Sequence, residues 1–247
     1  MRLLNFKFDH FVATYEGGRD SLLQRGIPED KITVIRNAVS DYGAILTKGW
    51  LSRELGLSQD PLFVVTTSSL IQRKRIDFIM RAFAQVEAAM NAASNCPLPH
   101  LLVVGDGAER EKLERLAAEL KIVGRMHFLG LRNDVREILT EAAVYVHAAT
   151  AESGTYAIIE AMAARLPVVV TDAGAARYQI LHGETGYVVT QDDFDGFCGF
   201  LKRLLADPVC RRELGQAGRQ RWEARYRIED NVPQYHQLYL RVTATRQ

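Results

Sequence analysis

Cysteine is scarce: Cys96, Cys198 and Cys210 are the three in 247 residues, and no C-x-x-C pair occurs. That spacing excludes a disulfide framework and a thiolate-built zinc site, and the three read as reduced cytosolic thiols. With 7 Pro and 18 Gly the chain is neither collagen-like nor low-complexity. No apolar run approaches the ~18 residues that a membrane-spanning helix requires, and the N-terminus lacks the apolar core of a signal peptide. The sequence therefore predicts no secretion, no span and a cytoplasmic location. Charge of one sign is also missing, because 31 Lys and Arg face 30 Asp and Glu for a net +1. That balance supplies no general field for nucleic acid, and no nucleic-acid partner is expected. What remains is 47% hydrophobic and 25% charged, the profile of a folded chain long enough to bury one large core or two small ones.

Short apolar runs alternate with longer amphipathic stretches. The runs are FVATY (11–15), ITVI (32–35), LFVVTT (62–67), HLLVVG (100–105), RMHFLG (125–130), AVYVHA (143–148), PVVVTD (167–172) and GYVV (186–189). Several lack polar alternation, as strands covered on both faces do. Between them, Ile76, Ile79, Met80, Phe83 and Val86 form one helical stripe, and Leu113, Leu116, Ala117 and Leu120 form another. Strands alternating with helices predict an α/β fold: an open parallel sheet with helices on both faces. From about 192 to 243 the pattern is helical alone, with breaks expected near Asp207-Pro208 and Pro233. This tail carries Lys202, Arg203, Arg211, Arg212, Arg219, Arg221, Arg225 and Arg227, which read as a solvated basic face ahead of a membrane or polyanion surface. The rhythm falters at 38–60, a weak boundary. Residues 1–37 hold two strands and a helix, too little to bury a core of their own.

Open parallel sheets bind ligands beyond the carboxyl ends of their strands, so the strand-to-helix turns carry the chemistry. After LFVVTT comes Ser68-Ser69-Leu70-Ile71-Gln72-Arg73-Lys74-Arg75, three cations ahead of a helix N-terminus that itself attracts anions. The stretch reads equally as a diphosphate loop or as a solvated basic loop. Gly105-Asp106-Gly107 opens like a dinucleotide fingerprint, but the third glycine falls on Arg110, so a tight turn and helix packing explain the pair better. In the third turn Glu152 and Glu160 flank Ser153, Gly154, Thr155 and Tyr156. Carboxylates accept sugar and ribose hydroxyls while helix-end amides hold an anion, yet each glutamate alone also reads as an ordinary helical charge. His147 ends the strand before Glu152 and reads either as a cleft edge or as a structural histidine. No metal-ligand cluster and no Ser/His/Asp order is present.

These blocks together resemble the retaining GT-B glycosyltransferases of family 4, the glycosyl transferases group 1. VIRNAV at 34–39 is similar to the interdomain asparagine segment. Leu70 to Lys74 is similar to the diphosphate loop. VVGDGAERE at 103–111, FLG at 128–130 and HGETGYVV at 182–189 follow in the family order. Most specific are Glu152 and Glu160, eight residues apart, followed by AMA and PVVVTDAG. The resemblance covers roughly 30–245. It implies the donor-binding half of a two-domain enzyme that transfers a hexosyl group from a UDP- or GDP-linked sugar. Glu152 and Lys74 would be catalytic, with Lys74 neutralising the leaving diphosphate. Donor contacts fall on Glu160, Ser69, Arg73, Arg75, Gly130, Leu131, Ser153, Gly154, Thr155 and Tyr156, with the nucleobase near 130–132. No metal or cofactor is implied.

The same resemblance divides the chain into 1–40, a remnant of the acceptor domain with the linker; 41–227, the nucleotide-sugar domain; and 228–247, a helix crossing back. The acceptor, a glycan or lipid, is not identified by these residues. Five positions depart from the family pattern: its loop arginine falls on Ser69, flanking glycines on Ser68 and Arg75, a further glycine on Arg165 and a glutamate on Tyr178. Arg73 or Arg75 is expected to compensate for Ser69. The rival readings are a non-catalytic subunit docking onto a separate acceptor-domain chain, peripheral contact of the basic tail with a membrane, and an NAD-dependent oxidoreductase, which the failed glycine fingerprint disfavours.

Overall fold

A computed structural model describes residues 8–41, 49–57, 61–92 and 98–244. At its N-terminal end β1 (Phe11–Ala13) and β2 (Ile32–Val34) pair in parallel around α1 (Glu16–Gln24). Their core is small, built on Ala13, Ile27 and Ile32, so the unit leans on its neighbours. The 38–60 boundary holds a short helix, α2 (Trp50–Glu54), whose Leu51 is fully buried under the main sheet. Residues 42–48 and 58–60 of that boundary lie outside the described residues, as does Cys96.

The main sheet begins with β3 (Phe63–Thr67), which leads through α3 (Ile76–Ala92) to β4 (His100–Val104). Next come α4 (Arg110–Glu119), β5 (Met126–Gly130), α5 (Val135–Glu141), β6 (Val144–His147), α6 (Tyr156–Ala163), β7 (Val168–Thr171), the single turn α7 (Ala176–Gln179) and β8 (Tyr187–Val189). All six strands are parallel in the order β5-β4-β3-β6-β7-β8. The chain winds outward from β3 to one edge and then returns to start again at β6. The β3/β6 pair is thus the switch point of a doubly wound sheet.

Period-two alternation sends neighbouring residues to opposite faces, and both faces are apolar. Val64, Leu101, Val103 and Val146 pack on one side with Phe83 and Phe197. Phe63, Val65, Leu102, Tyr145 and Val168 pack on the other with Trp222. This double burial explains why the strand segments show no polar alternation.

The tail forms α8 (Phe194–Ala206), α9 (Pro208–Arg225) and α10 (Ile228–Ala244). The break at Asp207 is as expected, with its side chain accepting from Val209 and Cys210 amides at 3.0 and 2.9 Å. The break expected at Pro233 is not there. The chain turns at Tyr226–Arg227 instead, and Pro233 lies in the second turn of α10. A proline there removes one backbone donor, but α10 is pinned on both sides of it: Asn231 donates to the Arg36 carbonyl, and Arg241 to the Thr33 hydroxyl at 3.0 Å. The basic tail is also not uniformly solvated. Arg219 is 5% exposed and grips both Asp41 oxygens at 2.7 and 2.8 Å. Arg221 donates to the carbonyls of Gln179 and Tyr178, both at 2.7 Å. Cys198 and Cys210 are buried free thiols.

Gly105 and Gly107 form the expected tight turn in positive-φ backbone, but what packs against them is a loop and not a helix. The β3–α3 and β4–α4 loops are zipped together: Ser68 donates to the Val104 carbonyl, Leu70 to Asp106 and Glu109 to Leu70, each at 2.9 Å. At Gly105, with φ +130°, a Cβ would overlap the Ser68 carbonyl oxygen, and at Gly107 one would stand 2.6 Å from that of Leu70. Positive φ alone costs an L-residue about 1–2 kcal/mol. Gly26, at φ +82° with open space around it, isolates that part. Urea denaturation of Gly105→Ala is therefore expected to show a loss about twice that of Gly26→Ala or more, because the loop must also open. Equal losses would mean that the glycine contact does not hold the loop.

Candidate functional site

The carboxyl ends of β3 and β6 part at the switch point, and the loops that follow them face each other. Lys74, from the β3–α3 loop, donates through Nζ to Glu152 Oε1, from the β6–α6 loop. His147, the last residue of β6, places Nε2 3.0 Å from the same oxygen. All three are withdrawn from water, with side chains 14%, 8% and 2% exposed respectively. Thr150 donates its amide to the Arg73 carbonyl at 3.0 Å, which joins the two loops along their backbones. Burial opposes ionisation of Glu152 and is the largest single influence on it. The hydrogen bonds from His147 and Lys74 together with their charges outweigh it and hold the carboxyl at about 2. Glu152 is an anion with two dedicated donors.

Glu160 is half-buried on α6. Tyr145 on β6 sits between the elements, its hydroxyl 3.2 Å from Thr67 Oγ1 at the end of β3. Burial above all, with the charges of Glu160 and Glu152 adding to it, pushes the Tyr145 phenol well above the ordinary range. The charges of both glutamates are thus felt at one buried phenol beneath the crevice. Arg73 donates to the Ala151 carbonyl at 2.6 Å and lies 4.0 Å from Glu152 Oε2, half exposed at the rim. Ser69 is exposed on the same loop.

Arg75 makes no hydrogen bond or ion pair with Glu152, although it lines a cavity with Arg73 and Thr150. In left-handed backbone at φ +48°, it donates to the Gln191 carbonyl at 2.6 Å and covers the Phe78 ring. Of the two arginines expected to stand in for the residue absent at Ser69, Arg73 alone faces Glu152. Gly130 ends the edge strand β5 and Leu131 follows it, two strands from β3 and so about 10 Å along the rim. Gly130 accepts from the Gly105 amide at 2.8 Å, and Leu131 is 83% exposed. Arg132 beside them is tied to Asp134 and Glu54.

Ser153, Gly154, Thr155 and Tyr156 lead into α6, whose first-turn amides have no intrahelical acceptor. The N-terminal unit seats itself on this stretch. Thr14 donates to the Ser153 carbonyl at 2.6 Å and Asn37 to that of Gly154 at 2.7 Å. Tyr178, which stands where the family pattern has a glutamate, packs its ring 5.5 Å from that of Tyr15.

The residues that sequence reasoning missed lie behind the loop. Thr171 donates to the Ala149 carbonyl at 3.0 Å and Gln191 to Thr150 at 2.9 Å. Gly174, at φ +58°, leaves no room for a Cβ beside the Glu152 carbonyl oxygen. The glycine ending PVVVTDAG was the available signal for this contact. Tyr145 and Thr67 sit inside apolar runs and gave none. Among the described residues no group of three or more His, Cys, Asp or Glu is placed to hold a metal.

Because Glu152 ionises near 2 rather than at the ordinary 4.5, it stabilises the fold above about pH 4.5 and loses that contribution as pH falls through 2. Glu152→Gln is expected to unfold earlier than the parent at pH 7, with the gap closing between pH 4.5 and 2. Thermal unfolding across that range measures it, and a gap that does not change with pH would contradict the ion pair.

Comparison with known proteins adds the family. The model described as Glycosyl transferases group 1 matches residues 50–221. N-acetyl-alpha-D-glucosaminyl L-malate synthase of Bacillus anthracis is 30% identical over 189 residues, 76% of this chain and 48% of that protein. The lipopolysaccharide core biosynthesis glycosyltransferase LpsE of Rhizobium meliloti is 28% identical over 185 residues, 75% of this chain and 52% of that one. The chain spans about half the length of the curated relatives it matches. Among solved structures, sucrose-phosphate synthase from Thermosynechococcus elongatus superposes with a TM-score of 0.83 at 25% identity, covering 99% of this chain and 61% of that one. Anabaena Alr3699/HepE in complex with UDP-glucose gives 0.83 at 22%, covering 96% and 65%. The fold is the Rossmann-like sheet of GT-B glycosyltransferases. The matched span takes in both crevice loops and the whole six-stranded sheet, and on that footing the chain belongs to the glycosyl transferases group 1 family.

Proposed function

We propose that the crevice binds a nucleotide-diphosphate sugar as the donor of a retaining hexosyl transfer, and that this chain is the donor-binding half of the enzyme. The observation that carries the reading is the Lys74–Glu152 ion pair at the sheet's switch point, with Glu160 half-buried on the helix that follows the Glu152 loop. The diphosphate would take Lys74 from Glu152, because a phosphate oxygen offers the ammonium an equal charge in a more open position. His147 would keep Glu152 oriented as the lysine leaves. Glu152, freed on one side, accepts from hydroxyls of the sugar, and Glu160 accepts from the ribose. Arg73 and the first-turn amides of α6 add positive field around the phosphates. The exposed Leu131 and Gly130, about 10 Å along the rim, offer a flat surface for the base.

In the reaction the bond from the anomeric carbon to the diphosphate oxygen breaks, and its electron pair leaves with the nucleoside diphosphate. The acceptor oxygen bonds to the same face of that carbon, and its proton passes to an oxygen of the departing diphosphate. Lys74 and Arg73 stabilise charge on the departing group, which makes electrostatics the main catalytic contribution. Relatives support the donor class: Alr3699/HepE is seen with UDP-glucose. A second reading, a subunit that binds donor and relies on a separate acceptor-domain chain, is favoured by apolar residues left exposed on α10. Val232, Tyr239 and Leu240 there are 59%, 66% and 57% exposed.

Isothermal titration with UDP, GDP and their sugars tests the reading. Binding by at least one nucleotide is expected, weakened about 10- to 100-fold in Lys74→Ala, the effect of losing a charge-assisted hydrogen bond. No binding at millimolar concentration, or an unchanged affinity in Lys74→Ala, would overturn it.

A further inference from the structure

We propose a second anion site, for a phosphate monoester, at the amino ends of the strands, opposite the crevice. A cavity of about 420 Å³ opens where the chain enters β3, β6 and β7. The five residues of β3 separate it from the switch-point loops by about 16 Å. Its size lies within the range of small-molecule sites.

Its lining concentrates positive charge. Arg165, Arg211 and Arg212 border it, against Glu141 as the carboxylate among its described lining residues. Glu141 is committed elsewhere, its two oxygens accepting from the Gly49 amide at 3.0 and 2.7 Å. Arg211 is fixed in place by donating to the carbonyls of Leu204 and Leu205 at 2.6 and 2.8 Å, which close α8. Arg165 and Arg212 have no carboxylate partner among the described residues. Guanidinium groups are the side chains best matched to a phosphate, which they engage through paired N–H donors.

Two further observations point to a ligand. Ser52 borders the cavity at 3% exposure, and its hydroxyl has no hydrogen-bond partner among the described residues. A buried hydroxyl left unpaired is costly, and a bound oxyanion would satisfy it. The second is the backbone of Arg165. It closes α6 at φ +60°, its amide bonding to Met162 at 3.0 Å and that of Leu166 to Ala161 at 2.9 Å. Glycine occupies such a position without cost. An arginine there carries a conformational penalty, and the residue borders the cavity.

The test compares the full chain with Arg165→Gly/Arg212→Ala and, separately, Lys74→Ala, using inorganic phosphate as the probe in isothermal titration. Glycine at 165 relieves the strained backbone, so the double variant is expected to fold. Phosphate should bind the parent and Lys74→Ala alike and lose about tenfold or more in affinity to the double variant, while UDP affinity stays unchanged in that variant. Flotation with phosphatidate vesicles, against phosphatidylcholine alone, distinguishes a lipid headgroup from a soluble phosphate. Retention that the double variant loses assigns the lipid source; titration without retention assigns the soluble one. No phosphate binding to the parent, equal binding to the double variant, or binding abolished by Lys74→Ala would overturn the second site. That last result would leave the crevice reading standing.

Discussion

One buried carboxylate organises the functional end of this molecule. Glu152 is almost closed to water, and an anion in that position is stable because Lys74 and His147 both address the same oxygen. The three residues come from different segments: a loop after β3, the last position of β6, and the loop beyond it. Their meeting requires the parallel β3/β6 pairing, so the site depends on the sheet's winding order. Burial alone would drive Glu152 toward its neutral form, and the two donors reverse that balance. Under the proposed reading this competition governs the crevice, because a donor diphosphate would have to outbid a carboxylate for the same lysine.

The loop that carries Glu152 is braced from several directions. Gly174 admits the close approach of the β7–α7 turn behind its carbonyl, and Thr171 and Gln191 hold the residues leading to it. In front, Thr14 and Asn37 from the N-terminal unit take the carbonyls of Ser153 and Gly154. That unit is joined in turn to α10 through Asn231 and Arg241. The small N-terminal core, insufficient by itself, is therefore stabilised by the same contacts that shape the entrance to the crevice. The arginines of α9, which look in sequence like a solvated face, in part serve as clamps: Arg219 ties α9 to Asp41 and Arg221 ties it to the α7 turn.

Much of this was legible in the residues. Apolar runs without polar alternation identified strands buried on both faces, and the helical stripes at 76–86 and 113–120 matched α3 and α4. The chemistry-bearing turns were legible because charged and small residues interrupt otherwise apolar rhythm. What could not be read was pairing across the sheet. Nothing local to Tyr145 or Thr67 shows that they meet, since their contact arises from strand order. Arg75 and Arg73 look equivalent in sequence, yet the left-handed turn at 75 swings one toward Gln191 and leaves the other beside Glu152. Pro233 misled because tertiary anchoring on both sides outweighs one missing backbone donor. Gly105 and Gly107 misled in part, because the space they leave is filled by another loop and not by a helix.

A crystal structure of the chain grown with UDP tests the central claim most directly. The account places a diphosphate oxygen within hydrogen-bond distance of Lys74 Nζ, with Glu152 released from the lysine and still held by His147, the ribose hydroxyls on Glu160 and the base beside Gly130 and Leu131. A UDP molecule seated with its phosphates away from Lys74, while the Lys74–Glu152 contact stays closed, would contradict it.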